Sequence, residues 1–315
     1  FETNPVPGHR NGLFINHGGR CWTDRTEAAG LADLAPTGEP FRAEAGAFAD
    51  YDRDGCVDLF VVHRRLGGLD PDYDPDRLYR NNCDGTFTDA TVASGIDDLG
   101  RDGLGVLFTD LDGDLWPDLY IVHTSAGGRN RLPDAYGRIT SDGGDDMLWR
   151  NRGDGTFELV SSNRAGIGTH AFAGMGIAAA DFDRDGDLDL HITDIGEGLG
   201  LGNPLYRSLL ADTGELAFEE VSFELGDFPM SGDYGWGNVF ADFDNDGWPD
   251  LFYVGPKSRW LYMNDGAGGF HAVVGPTGGP TAPGHVHGLP DVLEGRGVAA
   301  ADYDRDGAVD LLVVQ

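Results

Sequence analysis

Residues 50–59 read Asp50-Tyr51-Asp52-Arg53-Asp54-Gly55-Cys56-Val57-Asp58-Leu59, and the same acidic phrase returns from Asp110, Asp181, Asp242 and Asp302. Each copy sets carboxylates at positions 1, 3, 5 and 9 of a nine-residue loop. Each then runs into a short apolar stretch: LFVV, LYIV, LHIT, LFYV or LLVV. Carboxylates crowded this closely repel one another unless a cation sits among them. Hard oxygen donors at alternating positions suit Ca²⁺, which takes six to eight oxygens at about 2.3–2.6 Å. The expected ligands are Asp50, Asp52, Asp54 and Asp58; Asp110, Asp112, Asp114 and Asp118; Asp181, Asp183, Asp185 and Asp189; Asp242, Asp244, Asp246 and Asp250; and Asp302, Asp304, Asp306 and Asp310. Up to five structural calcium ions are therefore expected.

The loop is not an EF-hand, which closes on a bidentate Glu at position 12. Here position 12 is Val61, Ile121, Ile192, Tyr253 or Val313, inside the apolar run. The ninth-position Asp closes the loop instead, and position 7 (Cys56, Trp116, Asp187, Trp248 or Ala308) is expected to lend a backbone carbonyl by analogy. One copy departs: Leu115 replaces the Gly of position 6, a place that favours positive φ. A looser or differently shaped loop is expected there.

The first Asp residues are spaced by 60, 71, 61 and 60 residues across a chain of 315. Periods of this order indicate propellers, solenoids or arrays rather than separate domains. The formal charge of −32 argues against nucleic acid or an anionic membrane as partner. No run of 18 apolar residues exists, so no membrane-spanning helix is expected. The chain starts at Phe1 without a signal-like segment, which suggests a processed product. Three cysteines cannot all pair; Cys56 and Cys83 lie in turns of one repeat and could bridge, leaving Cys21 free. Low-affinity calcium loops belong where Ca²⁺ is abundant, so a secreted, periplasmic or cell-surface setting is expected.

Each period carries four strand signals. One precedes the Asp loop (GAFA, GVLF, GIAAA, NVFA, GVAAA) and one follows it. Two more form a hairpin, as in LYRNNCDGTFTDAT (78–91) and LWRNRGDGTFELVS (148–161), with Asp-Gly as a turn signal. Four antiparallel strands repeated radially describe a β-propeller blade. Residues 13–26 are a hairpin without a preceding pair, and residues 297–315 a pair without a hairpin. The reading is all-β: a single five-bladed propeller closed by its termini. Blade 1 comes from 296–315 plus 1–32, blade 2 from 33–95, blade 3 from 96–168, blade 4 from 169–228 and blade 5 from 229–295. A fragment of a seven-bladed ring is the competing reading.

The pattern G-x-x-A-D-[FY]-D-x-D-G-x-x-D-L, the hairpin LYRN-x-x-DGTF-x-[DE] and the A-G-[IL] after it (Ala29-Gly30-Leu31, Ala165-Gly166-Ile167) resemble the FG-GAP/VCBS repeat family. Integrin α-subunit propellers and the ASPIC/UnbV-associated bacterial proteins carry similar repeats. The resemblance implies a calcium-binding propeller and leaves function open, since relatives include adhesion modules, lectins and polysaccharide lyases.

The calcium loops join first and second strands, so in a propeller they share one face. Variable connections gather on the opposite face, where binding residues concentrate. The exits of the second strands carry His63, His123, Asp194, Gly255 and Gln315. The starts of the first strands carry Arg42 and Glu44; Arg101 and Asp102; His170; Asp233, Tyr234 and Trp236; and Arg296. A long connection adds His285 and His287, and Lys257 is the lone lysine. Arg42, Glu44, Asp102, Asp233, Trp236, Lys257, His285 and His287 are expected to bind a ligand: arginine grips carboxylates, and aromatic faces stack on sugar rings. The function read from this set is recognition of a glycan or protein partner. The alternative is a lyase- or cyclase-type enzyme using His63, His123, His170, Asp194, Arg101, Tyr234 and Arg296 as base and charge-stabilising groups. A transition metal on His63, His123 and Asp194, or a merely solvated rim, are the remaining readings. No P-loop, dinucleotide fingerprint, G-x-S-x-G, CxxC or HExxH motif is present.

Overall fold

The computed structural model describes residues 12–18, 21–32, 43–63, 75–96, 103–123, 146–160, 165–167, 174–194, 202–225, 234–256, 259–274 and 295–314. The chain is all-β. Its described strands form four four-stranded antiparallel sheets and two two-stranded ones. The first pair is β1 (Phe14–Asn16) with β2 (Trp22–Asp24). The first complete sheet orders β3 (Ala43–Ala49), β4 (Asp58–His63), β5 (Arg77–Asn81) and β6 (Phe87–Asp89). The next orders β7 (Gly103–Thr109), β8 (Asp118–His123), β9 (Met147–Asn151) and β10 (Phe157–Val160). Then come β11 (Gly174–Ala180), β12 (Asp189–Asp194), β13 (Leu205–Ser208) and β14 (Phe218–Glu220), and β15 (Gly237–Ala241), β16 (Asp250–Val254), β17 (Arg259–Asn264) and β18 (Phe270–Val274). A last pair joins β19 (Gly297–Ala301) to β20 (Asp310–Val314). A short helix, α1 (Leu210–Thr213), takes the place of the tight Asp-Gly turn between β13 and β14.

The second strand of each complete sheet is its apolar heart. β8, β12 and β16 are buried along their whole length, including the positions that would alternate outward in a one-sided sheet. Coverage on both faces turns the alternating strand signal into a continuous apolar run. First strands are small instead, because neighbouring backbones approach there. A Cβ on Gly237 of β15 would lie 2.8 Å from Gly297 of β19, and one on Gly176 of β11 would strike the Trp236 carbonyl.

Two compact units comprise Phe1–Thr109, Trp116–Ile121 and Trp149–Leu159, and the remainder. Within the first, β3 packs on β7, and the backbone N–H of Phe87 reaches the Ala29 carbonyl at 2.8 Å. Phe157 repeats that bond to Ser94 at 2.8 Å. Within the second, β11 packs on β15 and β15 on β19, and Phe270 reaches Leu225 at 3.0 Å. The Phe of each DGTF-like turn thus bonds back to the turn that closes the preceding sheet. Gly30 and Gly95, in those closing turns, have φ near +80° and face the Phe87 and Phe157 carbonyls. Core aromatics such as Phe182, Tyr253, Tyr262 and Phe270 fill the second unit.

Cys56 and Cys83 form a disulfide and Cys21 is free, in line with the pairing read from sequence. The partition into five blades and the joining of 296–315 with 1–32 are proposals, taken up in the Discussion.

Candidate functional site

The acidic loops share one backbone frame. Position 4 takes positive φ (Arg53 54°, Arg184 60°, Asn245 60°, Arg305 64°), as does the position-6 Gly. This curls the chain so that successive N–H groups point at the first carboxylate. Asp50 accepts from Asp54 and Gly55, both at 3.0 Å; Asp242 accepts from Asp246 at 3.0 Å and Gly247 at 2.8 Å. Asp302 repeats the arrangement with Asp306 and Gly307. The loop from Asp110 is not reshaped: Leu115 takes φ 73° and still donates to Asp110 at 2.9 Å.

In the loops from Asp50, Asp110, Asp181 and Asp242 the ninth Asp is buried and ties loop to hairpin, whereas Asp310 is exposed. Asp58 accepts from Tyr51 at 3.1 Å and Asn81 at 2.7 Å; Asp189 from Phe182 at 2.9 Å and Ser208 at 2.8 Å; Asp250 from Phe243 and Asn264, both at 2.8 Å. Asp118 accepts from Asn151 and Asp310 from Tyr303. Burial lifts the carboxyls of Asp58 and Asp250 to about 6 and that of Asp189 to about 8, against the lowering effect of their backbone donors.

The position-7 side chain meets the hairpin turn of its own sheet. Cys56 does so through the disulfide to Cys83. Trp116 and Trp248 lie flat on Gly153 and Gly266, where a Cβ would come within 2.8 and 2.6 Å of the indole nitrogen. Asp187 accepts from the Ala211 backbone of α1. The two tryptophans are therefore packing residues, and each also carries an arginine from another loop: Arg53 at 5.1 Å from Trp116 and Arg184 at 4.3 Å from Trp248.

The donor set fits a hard cation. One oxygen each from Asp50, Asp52 and Asp58 lies within 4.8 Å of the others, and the same holds for Asp181, Asp183 and Asp189, and for Asp242, Asp244 and Asp246. Oδ1 of Asp110 and Oδ1 of Asp181 are buried without a hydrogen-bond partner. A buried, unpaired carboxylate oxygen is costly, and a coordinated cation removes the cost.

The strand-end residues are placed differently from one another. His63 and His123, at the ends of β4 and β8, are buried, and Asp194 at the end of β12 nearly so. Their backbone N–H groups are capped by side chains that open the third strand: Asp76 at 2.7 Å, Asp146 at 2.8 Å and Asn203 at 2.8 Å. These capping residues were missed in the sequence, although Asp or Asn two places before Leu-[Tyr/Trp] recurs at all three. Burial, with Arg77 nearby, pushes the His63 imidazole down to about 4, so it is neutral at pH 7. His191 is a buried core residue, its Nδ1 2.8 Å from Asn238 and its ring stacked on Tyr253.

In the second unit the structure brings four candidates together. The N–H of Gly235, between Tyr234 and Trp236, donates to the Asp194 carbonyl at 2.8 Å. The Arg296 guanidinium lies 5.0 Å from the centre of the Trp236 ring, with Arg296 exposed and Trp236 half-buried. Gly255 is required there, because a Cβ would collide with the Tyr234 carbonyl. Glu44, exposed on β3, borders a cavity of about 340 Å³ lined by Leu13, Leu31, Ala43, Leu59 and Tyr79. Arg42, Arg101, Asp102, His170, Asp233, Lys257, His285, His287 and Gln315 lie outside the described residues.

The FG-GAP-like repeat model matches residues 50–121, 130–192 and 242–313, each match beginning on or running through the acidic loops. The chain belongs to the FG-GAP-like repeat family. Its relatives include cartilage acidic protein 1 of Homo sapiens and of Mus musculus, each 30% identical over 177 residues. Those matches cover 56% of this chain and 24% of the relative, so the chain spans about a quarter of their length. Among solved structures it is similar to a lectin of Agrocybe aegerita that recognises non-reducing terminal N-acetylglucosamine, with 17% identity, 84% of this chain and 74% of the other covered, and a TM-score of 0.38. The exotype rhamnogalacturonan lyase YesX gives 15%, 90%, 47% and 0.43 for the same quantities. The V. cholerae biofilm matrix protein Bap1 gives 17%, 87%, 35% and 0.41. Likenesses at these TM-scores decide nothing about function.

Proposed function

We propose that this FG-GAP-like repeat protein is an extracellular, calcium-stabilised recognition module for a glycan or protein partner. Calcium would be held by the carboxylates at positions 1, 3, 5 and 9 of each acidic loop, with the position-7 carbonyl. Its role would be structural, neutralising loops that otherwise repel themselves and so adding binding free energy to folding free energy. The buried, unpaired Oδ1 atoms of Asp110 and Asp181 support it.

The recognition reading is carried by Trp236 and Arg296. An exposed guanidinium over an indole makes a flat, polar-edged plate, a surface suited to stacking on a sugar ring or gripping a carboxylate. Burial of His63 and His123 leaves the enzymatic alternative without an exposed imidazole at those two strand ends. The test is binding of the calcium-loaded protein to an array of neutral and acidic oligosaccharides, repeated with Trp236→Ala and Arg296→Ala. Saturable binding lost in both variants supports the reading. Binding that both variants retain unchanged removes this plate from it.

A further inference from the structure

The acidic loops look interchangeable in sequence, but their surroundings differ at one register. The residue whose backbone N–H caps the ninth Asp is Asn81, Asn151, Ser208 or Asn264. The residue just before it therefore occupies an equivalent place beside each loop: Arg80, Arg150, Arg207 or Met263. Arg80, Arg207 and Met263 do different things. Arg80 lies across its own loop, Nε donating to Asp52 at 2.6 Å and Nη2 to Asp54 at 2.9 Å. Arg207 pairs with Glu219 and Glu224 instead, at 3.9 and 3.6 Å. Met263 carries no charge at all.

Asp52 and Asp54 are positions 3 and 5, carboxylates that a calcium ion in that loop would need. The guanidinium already bridges them through one charge-assisted hydrogen bond to each carboxylate. The same loop has a second restraint that owes nothing to a metal, the Cys56–Cys83 disulfide from its seventh position to the hairpin turn. The loop from Asp242 has neither device. It relies on Trp248 lying on Gly266; the equivalent strand position holds the uncharged Met263, and Arg184, beside Gly247, lies over the Trp248 ring rather than across two carboxylates.

We propose that Arg80 is a built-in counter-ion that makes the loop from Asp50 a weaker and less calcium-dependent site than the loop from Asp242. The inference rests on the calcium reading above and deepens it: the loops fill in order, with Met263 marking a tight site and Arg80 a weak one. A fixed positive charge next to a divalent ion costs affinity by direct repulsion, and its removal restores it.

The test is calorimetric titration of the metal-free full chain with CaCl₂, for wild type, Arg80→Met and Met263→Arg, with each melted in excess EGTA. Arg80→Met is expected to tighten one weak binding step by about tenfold or more, and Met263→Arg to weaken one tight step by a similar factor. In EGTA the order reverses: Arg80→Met melts below wild type and Met263→Arg above it. Isotherms and melts that superimpose on wild type for both variants, while wild type still binds calcium, overturn the counter-ion role alone. A wild type that takes up no calcium overturns the calcium reading and this inference together. If Arg80→Met does not fold, Met263→Arg decides by itself, since its side chain replaces an uncharged one on β17.

Discussion

Asn264 donates its side-chain amide to the carbonyl of Phe182 at 2.7 Å, across 82 residues of sequence. The same amide reaches Pro249 in its own acidic loop at 3.2 Å. Asn151 does the same with Tyr51 at 2.9 Å and Pro117 at 3.0 Å. One buried amide therefore clamps position 8 of one acidic loop to position 2 of another, and the repeats are locked together beside the very loops that carry the charge.

Replacing Asn264 or Asn151 by Ala leaves one buried and one half-buried carbonyl with one donor fewer. Each variant should lose about 1–3 kcal/mol of stability, the range for orphaned buried hydrogen-bonding groups. Chemical denaturation with calcium present measures it. An effect below a few tenths of a kcal/mol would mean that the clamp does not hold the repeats.

Leu115 sits at φ 73° where the other loops have Gly, and its side chain is 68% exposed. The strain has no compensating burial. Leu115→Gly should therefore stabilise the protein by about 1 kcal/mol, the order of the left-handed penalty for a side chain with a Cβ. A thermal melt that shifts downward instead would show that Leu115 makes contacts worth more than its backbone strain.

The buried ninth-position carboxyls predict an unusual pH response of the metal-free protein. Asp189 is raised to about 8 and Asp58 and Asp250 to about 6, whereas in the unfolded chain such groups titrate near 3.9. Between about pH 4 and those values the folded state holds protons that the unfolded state has released. The contribution is fully present below about pH 4 and is lost as pH rises through 6 to 8. In EGTA the melting temperature should fall from pH 5 to pH 8, and calcium affinity should climb over the same range as protons leave the ligands. A melting temperature in EGTA that rises with pH across this window would contradict the burial of these carboxyls.

Most of this fold is written in the sequence because a nine-residue loop forces its own geometry. Alternating Asp residues, a Gly at position 6 and an apolar run leave little choice but a hairpin between two strands, and the structure has one at each copy. The Cys56–Cys83 bridge was legible for the same reason, since both cysteines occupy turns of one hairpin pair. The site was less legible. Strand exits looked like a solvent-facing ring because period-2 reasoning cannot tell that a second strand is covered on both faces, and His63 and His123 proved buried. Asn151 and Asn264 were visible as part of a motif, yet their clamping role depends on which repeat lies alongside, which spacing alone does not specify.

Closure of the ring by residues 296–315 and 1–32 is proposed from the complementary half-blades. Leu312 and Val314 of β20 are 64% and 55% exposed, whereas the second strands β8, β12 and β16 are buried along their length, so the last pair offers surface for further packing. If β20 gains a second neighbour, every amide of Leu311–Val314 should resist hydrogen exchange. If it pairs with β19 alone, alternate amides should exchange freely.

The most direct test of the account is the thermal melt of the protein stripped of metal and held in excess EGTA, against the same sample in millimolar Ca²⁺. The account predicts a melting temperature lower by many degrees without calcium and full recovery when calcium is restored. Identical melting curves in a sample verified to be metal-free would contradict it.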